Sequence, residues 1–471
     1  MGILIFASFM DLLDVTIVQV ALPAVRGDLG ATPAQLEWIV SGYMLAFAVL
    51  LVTGGRLGDI VGRQRTFLVG VAGFTIASAL ASLAWSGDSL VIARVVQGAF
   101  AALMVPQALS SLQALYAPKE RAPLYGLLGG IGGLAAVIAP LLGGWLVDAD
   151  IAGVGWRAVF LLNVPVGVVI FLLALRFVPN TRAAVALRLD LPGVVLLSGA
   201  LLALLYPLVE GRELGWPTWL WAVEALGALL VVAFVAEQRA RVRGDGSALL
   251  PLGLFRNRGF SAGLITQAAF QGAMNAFTVV FIVYLQAVLG FSALAAGLTI
   301  LPFSVGAFVG VGAAIPLGTK VGKPIVTLGA LVQVAGIAWA LSVIVARGAT
   351  LSGWDLVWPM ALTGVGLGLL VVPLIDVALA TIPLSDAGAA SGTYGTFQQI
   401  GAALGVAISG TVFFTAVGTD WSKPNVLAAL IPAVGVAIAG YLVAALASLF
   451  LPKRSQVHAH LEEQARALED A

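Results

Sequence analysis

Long apolar runs separated by short polar breaks fill nearly the whole chain. They place fourteen expected spans at residues 2–24, 35–57, 67–86, 89–114, 123–147, 157–178, 191–209, 217–237, 259–289, 292–317, 325–346, 355–381, 390–416 and 425–451. Each comes close to or exceeds the roughly 20 residues that a helix needs to cross a bilayer. The basic residues sort by alternate breaks. Counted from a cytoplasmic N-terminus, one side collects Arg63 and Arg65, Lys119 and Arg121, Arg176, Arg182 and Arg188, then Arg239 to Arg258, and finally Lys320 and Lys323. The other side holds only Arg26, Arg212, Arg347 and Lys423, with Arg157 at a helix entry. That asymmetry puts both termini in the cytoplasm, and a count wrong by one span would scramble it. The first run lacks the basic stretch that opens a secretory signal and is expected to be a retained span.

The pattern also repeats. Leu57 to Arg63 (LGDIVGR) recurs as Leu317 to Lys323 (LGTKVGK), and Ala99 to Pro106 (AFAALMVP) is echoed by Gly366 to Pro373 (GLGLLVVP). Both copies follow the same kind of span on the same membrane side, the mark of parallel repeats. The expected organisation is an all-α integral membrane protein of two six-helix bundles, 1–180 and 241–452. Two inserted helices lie between them, within 181–240, and 453–471 forms a short cytoplasmic tail.

Composition narrows the function. The chain is 60% hydrophobic and only 10% charged, where soluble proteins carry roughly a quarter charged residues. A net charge of +1 gives no bulk basic character for nucleic acid, and the basic linker from Arg239 to Arg258 is read as a topology determinant. The absence of cysteine removes disulfides, thiolate chemistry and Cys-ligated metal. His458 and His460 lie in the polar tail and are weak grounds for a metal, so no metal site is expected. No phosphate-cradling GxxxxGK[ST] run is present, so neither ATP nor another cofactor is expected to drive the protein.

Against that apolar background a few polar groups stand out. Asp11 and Asp14 share one face of the first span, with Ser8 and Gln19 near the same stripe. A charge at membrane depth is costly unless it faces protein or a water-filled cavity. A carboxylic acid moved out of water favours its neutral form, which lets it load and release protons. Arg94 opens an Arg-x-x-Gln97-Gly98 pattern in span 4. A buried arginine keeps its charge and demands an acceptor, for which the span 1 acids are the nearest by topology; the alternative is snorkelling to the interface. Gly55 to Arg65 (GRLGDIVGRQR) makes a tight turn between spans 2 and 3, where Asp59 could accept hydrogen bonds across a domain interface. In span 5, small residues at Gly129, Gly133, Gly143 and Gly144 around Pro140 permit close helix approach and a bend. Gln19, Trp38, Tyr43, Gln271, Asn275 and Gln398 could line a cargo path, as could Gln267 and Gln399, although helix–helix hydrogen bonds explain such amides equally well. Glu224 is expected to be structural, and Asp376 is open between helix-end solvation and a second titratable site.

These stretches together resemble the major facilitator superfamily, specifically its fourteen-span drug:proton antiporter branch. Leu13 to Pro23 (LDVTIVQVALP) is similar to the branch's first-helix signature, residues 55–65 to the superfamily's loop motif, Arg94 to Gly98 to its fourth-helix motif and 126–144 to the antiporter motif of helix five. Trp156-Arg157 with Phe160, Asn163, Pro165 and Gly167 resembles a further stretch typical of the branch. The departures are Ile60 where arginine is frequent, Ala139 before Pro140, and Gln19 where asparagine is common. The resemblance implies a proton-coupling role for Asp14 and Arg94, with Asp11 beside them. It implies a conformational gate at Gly55, Asp59, Gly62, Arg63 and Arg65, and a hinge at Gly129, Gly133, Pro140, Gly143 and Gly144. The implied protein is a bacterial cytoplasmic-membrane exporter of lipophilic small molecules, working as a monomer and driven by the proton gradient. A dedicated exporter of an endogenous metabolite or lipid would differ only in the pocket. A membrane-embedded enzyme or receptor would need a catalytic cluster, cofactor motif or soluble domain that the sequence lacks.

Overall fold

The computed structural model describes residues 2–115, 135, 138–182, 189–243, 248–250, 252–379, 382 and 387–452, which are helical throughout with no strand. The helices are α1 (Gly2–Leu29), α2 (Pro33–Val61), α3 (Arg63–Ser82), α4 (Gly87–Leu115), α5 (Ile138–Ala149) and, after three short turns, α6 (Asn163–Phe177). There follow α7 (Leu191–Leu214), α8 (Thr218–Arg243), α9 (Arg258–Ala287), α10 (Ala293–Val321), α11 (Pro324–Arg347), α12 (Val357–Leu379), α13 (Ala387–Val417) and α14 (Lys423–Ser448). Among the described residues 13 helices are long and apolar enough to cross a membrane. The remaining expected span, 123–147, lies largely outside the described residues, and only its end is seen, as α5.

Local chemistry sets the breaks. Thr32 caps α2 through a reciprocal box, its hydroxyl accepting from Gln35 N at 3.2 Å while Gln35 Oε1 accepts from Thr32 N at 3.0 Å. Asn257 caps α9 by accepting from the amides of Gly259 and Phe260. Gly62 and Gly322 turn the chain after α2 and α10 with φ of 121° and 72°, a region that β-carbon sterics close to most residues. The two copies of the repeated heptapeptide therefore both turn on a glycine with positive φ.

Packing shows the repeat more fully. In the N-terminal half α4 lies against both α2 and α3, and α3 against α6. Eight helices later, α12 lies against α10 and α11, and α11 against α14. Two main cores form, one chiefly of the first half around Ile17, Phe47, Phe67, Phe74 and Phe160, the other chiefly of the second around Phe270, Phe281, Tyr284, Leu370 and Tyr441. Some contacts run backbone to backbone. A β-carbon on Gly54 of α2 would lie 2.0 Å from the carbonyl oxygen of Ala102 in α4. Around the outside, Ile76, Ile92, Leu172, Phe308 and Leu446 are exposed, an apolar belt suited to acyl chains and costly in water. Trp85, Trp354 and Trp358 stand exposed at the ends of the spans, as headgroup-level aromatics do.

The inserted pair α7–α8 is tied down at one end by Asp190, a group the hydrophobic pattern did not single out. Its carboxylate accepts from Gly193 N at 2.8 Å, Leu249 N at 2.9 Å and Gln238 Nε2 at 2.5 Å, and pairs with Arg241 at 2.9 Å. Higher up, α7 touches both α2 and α13. The Trp38 indole donates to Glu210 at 3.1 Å, and the Thr411 hydroxyl donates to the carbonyl of Leu208.

Candidate functional site

The first helix packs against α2, α4 and α6 of its own half and against α9 and α10 of the other. Asp14 lies on the first of these sides with no exposure, and Arg94 of α4 is 1% exposed. Arg94 Nη1 donates to Asp14 Oδ2 at 2.6 Å and to Gln97 Oε1 at 2.6 Å, while its Nε donates to the carbonyl of Ile39 at 3.1 Å. The other carboxylate oxygen, Oδ1, accepts from Gln97 Nε2 at 3.0 Å and from Asn163 Nδ2 at 2.6 Å. Gln97 in turn donates to Ser78 of α3 at 2.8 Å. The guanidinium stands 4.2 Å from the centroid of Tyr43 and 5.9 Å from that of Phe160. Five helices thus meet at one ion pair.

Burying two such ions costs several kcal/mol apiece, recovered only where geometry is good and the remaining donors and acceptors are filled. Here both carboxylate oxygens and the Nε and Nη1 donors of Arg94 are filled, and aromatic faces cover the cation. Chemically the cluster can exist in two charge states: with the pair intact, or with a proton on the acid and the arginine seeking another acceptor. One turn earlier, Asp11 is 5% exposed and accepts from the Tyr43 hydroxyl. Tyr43→Phe keeps the ring under Arg94 and deletes this donor. The expected cost is about 1–3 kcal/mol for a buried acceptor left unfilled, read as a lower melting temperature of the purified protein; an unchanged melt would show that Asp11 does not depend on Tyr43.

The next turns of α1 reach the other half. Gln19 Nε2 donates to Asn275 Oδ1 of α9 at 3.1 Å, and Gln286 of α9 donates to the carbonyl of Val20 at 3.0 Å. A β-carbon on Gly143 of α5 would lie 2.6 Å from the Ile17 side chain, one on Gly144 would lie 2.5 Å from Leu294 Cα of α10, and one on Gly297 would lie 2.3 Å from the carbonyl oxygen of Pro140. Gln271 and Gln398 are half-buried on α9 and α13. Trp38 turns away from this path to α7. Gly129 and Gly133 lie outside the described residues.

In the turn after α2, Asp59 pairs with Arg63 at 2.9 Å, within its own half, and Arg63 N donates to the carbonyl of Thr181 at 2.9 Å. Gly62 fits beneath Asn180, Gly55 packs near Pro106, and Arg65 is exposed. Asp376 is exposed near the end of α12. Glu224 is half-buried on α8, a helix whose sides are mostly open.

Sequence reasoning overlooked Asn163 as a contact of Asp14. The signal was an amide inside an apolar run, in a stretch noticed only for its resemblance. That stretch now has physical content, since Trp156 Nε1 and Arg157 both hold Asp28, at 2.9 Å and 2.5 Å, Phe160 faces Arg94, and Asn163 completes the carboxylate.

Comparison with known proteins agrees with this architecture. The chain is 42% identical over 423 residues to the probable actinorhodin transporter of Streptomyces coelicolor, covering 89% of this chain and 73% of that one. It is 37% identical over 428 residues to the tetracenomycin C resistance and export protein of Streptomyces glaucescens, covering 88% and 76%. The solved structure of an auto-inhibited POT family peptide transporter superposes with a TM-score of 0.67 at 16% identity, over 95% of this chain and 96% of that one, a likeness of fold alone. The repeated halves, the helix-buried ion pair and a family model that matches residues 4–406 agree: the chain belongs to the Major Facilitator Superfamily.

Proposed function

We propose that this protein exports lipophilic, drug-like compounds from the cytoplasm in exchange for protons, by alternating access between its two halves. The observation that carries the reading is the pair of Asp14 on α1 with Arg94 on α4, since the following turns of α1 hold contacts to the other half. A proton arriving on Asp14 frees Arg94 from its main acceptor, changes the packing of α1 on α4 and α6, and so bears on the seam where Gln19 meets Asn275. Cargo competing for the freed groups would leave on one side, and loss of the proton on the other would reset the pair. Each charge crossing the full membrane potential carries about 2.3 kcal/mol per 100 mV, so the proton gradient is a sufficient source without any cofactor.

The sorting of basic residues supports a cytoplasmic position for both termini in a bacterial cytoplasmic membrane. The end that carries Leu29, Asp148 and Val417 then faces outward. Relatives named for export and resistance support transport of small molecules rather than chemistry on them, and an apolar interior that carries only a few amides, such as Gln271 and Gln398, suits lipophilic cargo. The reading requires only one chain. Because the two relatives are each named for one compound, a dedicated exporter is the second reading.

Purified protein in liposomes with an imposed pH gradient, offered a panel of labelled antibiotics, tests both. Gradient-dependent movement of several unrelated lipophilic compounds is the expected result, and movement of one alone favours the dedicated exporter. Flux indifferent to the gradient would overturn proton exchange.

A further inference from the structure

The seam between the halves is closed at the end that carries Asp148, and on one side it is closed by backbone. Gly144 and Pro140 of α5 press on Leu294 and Gly297 of α10 at distances that leave no room for a β-carbon. One turn beyond Gly144, Asp148 reaches across. Its Oδ1 accepts from Ala293 N at 3.1 Å and its Oδ2 from Leu294 N at 3.0 Å. These are the first two amides of α10, which have no partner within their own helix and sit at the positive end of its dipole. The local cap serves only the next residue in, as Ser292 Oγ accepts from Ala295 N at 3.2 Å. The N-terminal half therefore supplies the charged cap for a helix of the C-terminal half. A cavity of about 420 Å³ lies beside this contact, lined by groups of both halves that include Arg26, Gln286 and Phe291. Across the seam, Glu37 of α2 abuts Gly410 of α13, where a β-carbon would lie 2.4 Å from its carboxyl carbon.

We propose that Asp148 is the positioning residue of this gate: its carboxylate holds the α10 N-terminus only while the halves are closed here, and so sets the balance between the two arrangements. The proposal rests on the alternating-access reading above but not on proton exchange or on the identity of the cargo. When the halves part at this end, carboxylate and amides return to water and the interaction is lost, so it stabilises one state alone. A ligand or residue that acts on one state only is what shifts such an equilibrium.

The test uses the whole chain in lipid nanodiscs, without cargo or gradient. The sequence contains no cysteine, and Trp85 and Trp354, 82% and 85% exposed, mark the two halves at this end. Trp85→Cys with Trp354→Cys, spin-labelled and measured by double electron–electron resonance, reports the separation. In Asp148→Ala the ratio of short to long distances is expected to fall about tenfold, in line with loss of a charged cap. Asp148→Asn presents a donor to one of the two amides and is expected to fall similarly; it decides the matter if the alanine variant does not fold. Asp148→Glu should recover the short distance in part. Asp150→Asn, two residues on and bonded to Gly155 N instead, should match the parent. An unchanged distribution in folded Asp148→Asn, or an equal shift in Asp150→Asn, would overturn the assignment. A failure of proton-driven flux would leave these distances untouched, so the two readings fail separately.

Discussion

Asp14→Asn is expected to abolish proton-driven efflux while the protein still reaches the membrane. The carboxylate takes three donors: Arg94 on Oδ2, and Gln97 and Asn163 on Oδ1. An asparagine offers one oxygen, and its amide group would point donors at either the guanidinium or the two side-chain amides. Arg94, 1% exposed, then keeps its charge with the main acceptor gone, at a cost of about 3–5 kcal/mol. Lost flux alone could therefore mean lost fold, and a second variant separates the two. Asp14→Asn with Arg94→Gln removes both charges, so thermal stability should recover toward that of the parent while pH-driven flux stays absent. Liposome flux and melting temperature, measured on the parent and both variants, give the answer. Full pH-driven flux in Asp14→Asn would remove Asp14 from the coupling step.

The period and placement of apolar runs made the helices legible, because in a bilayer the backbone must satisfy its own hydrogen bonds and the solvent-facing side is apolar. Pattern alone could not mark ends that leave the membrane: α8 continues to Arg243 rather than stopping near 237. The ion pair was legible for a similar reason. An aspartate and an arginine are rare enough at membrane depth that each implies the other. Partners that are merely polar are harder to read. Asn163 and Ser78 look like any amide or hydroxyl in an apolar helix until geometry shows that they meet Gln97 and Asp14. Asp59 shows the limit of reading a loop by itself. Its pattern suggested reach across a domain interface, and the partner that the structure adds is Arg63 one helical turn away, a pairing that costs little chain entropy to hold. Asp148 illustrates the reverse case. It sits in the last turn of α5, where a carboxylate looks like ordinary helix-end solvation, and its significance lies in the α10 amides it meets, 145 residues away in sequence.

Glycines supply the second large effect, because the same local clash should have two different consequences. Gly54→Leu places a side chain where a β-carbon would already lie 2.0 Å from the carbonyl oxygen of Ala102. That contact joins α2 to α4 inside one half, where parting of the halves offers no relief, so the variant is expected to lose its fold, seen as aggregation in size-exclusion chromatography. Gly144→Leu meets Leu294 Cα at 2.5 Å and the carbonyl oxygen of Ala293 at 2.6 Å, again rigid backbone, but across the seam between halves. Two bodies that are meant to part can relieve the overlap by parting. Overpacking of about 1–3 kcal/mol then falls on the closed state alone and shifts the closed-to-open ratio by roughly 5- to 150-fold. Gly144→Leu should therefore stay monodisperse, melt near the parent and lose flux, with its distance between labels at positions 85 and 354 lengthened. Parent-level flux in Gly144→Leu would show that closure at this contact is not required for the cycle. Aggregation equal to that of Gly54→Leu would show that α5 and α10 belong to one permanent core, and the seam would have to be drawn elsewhere.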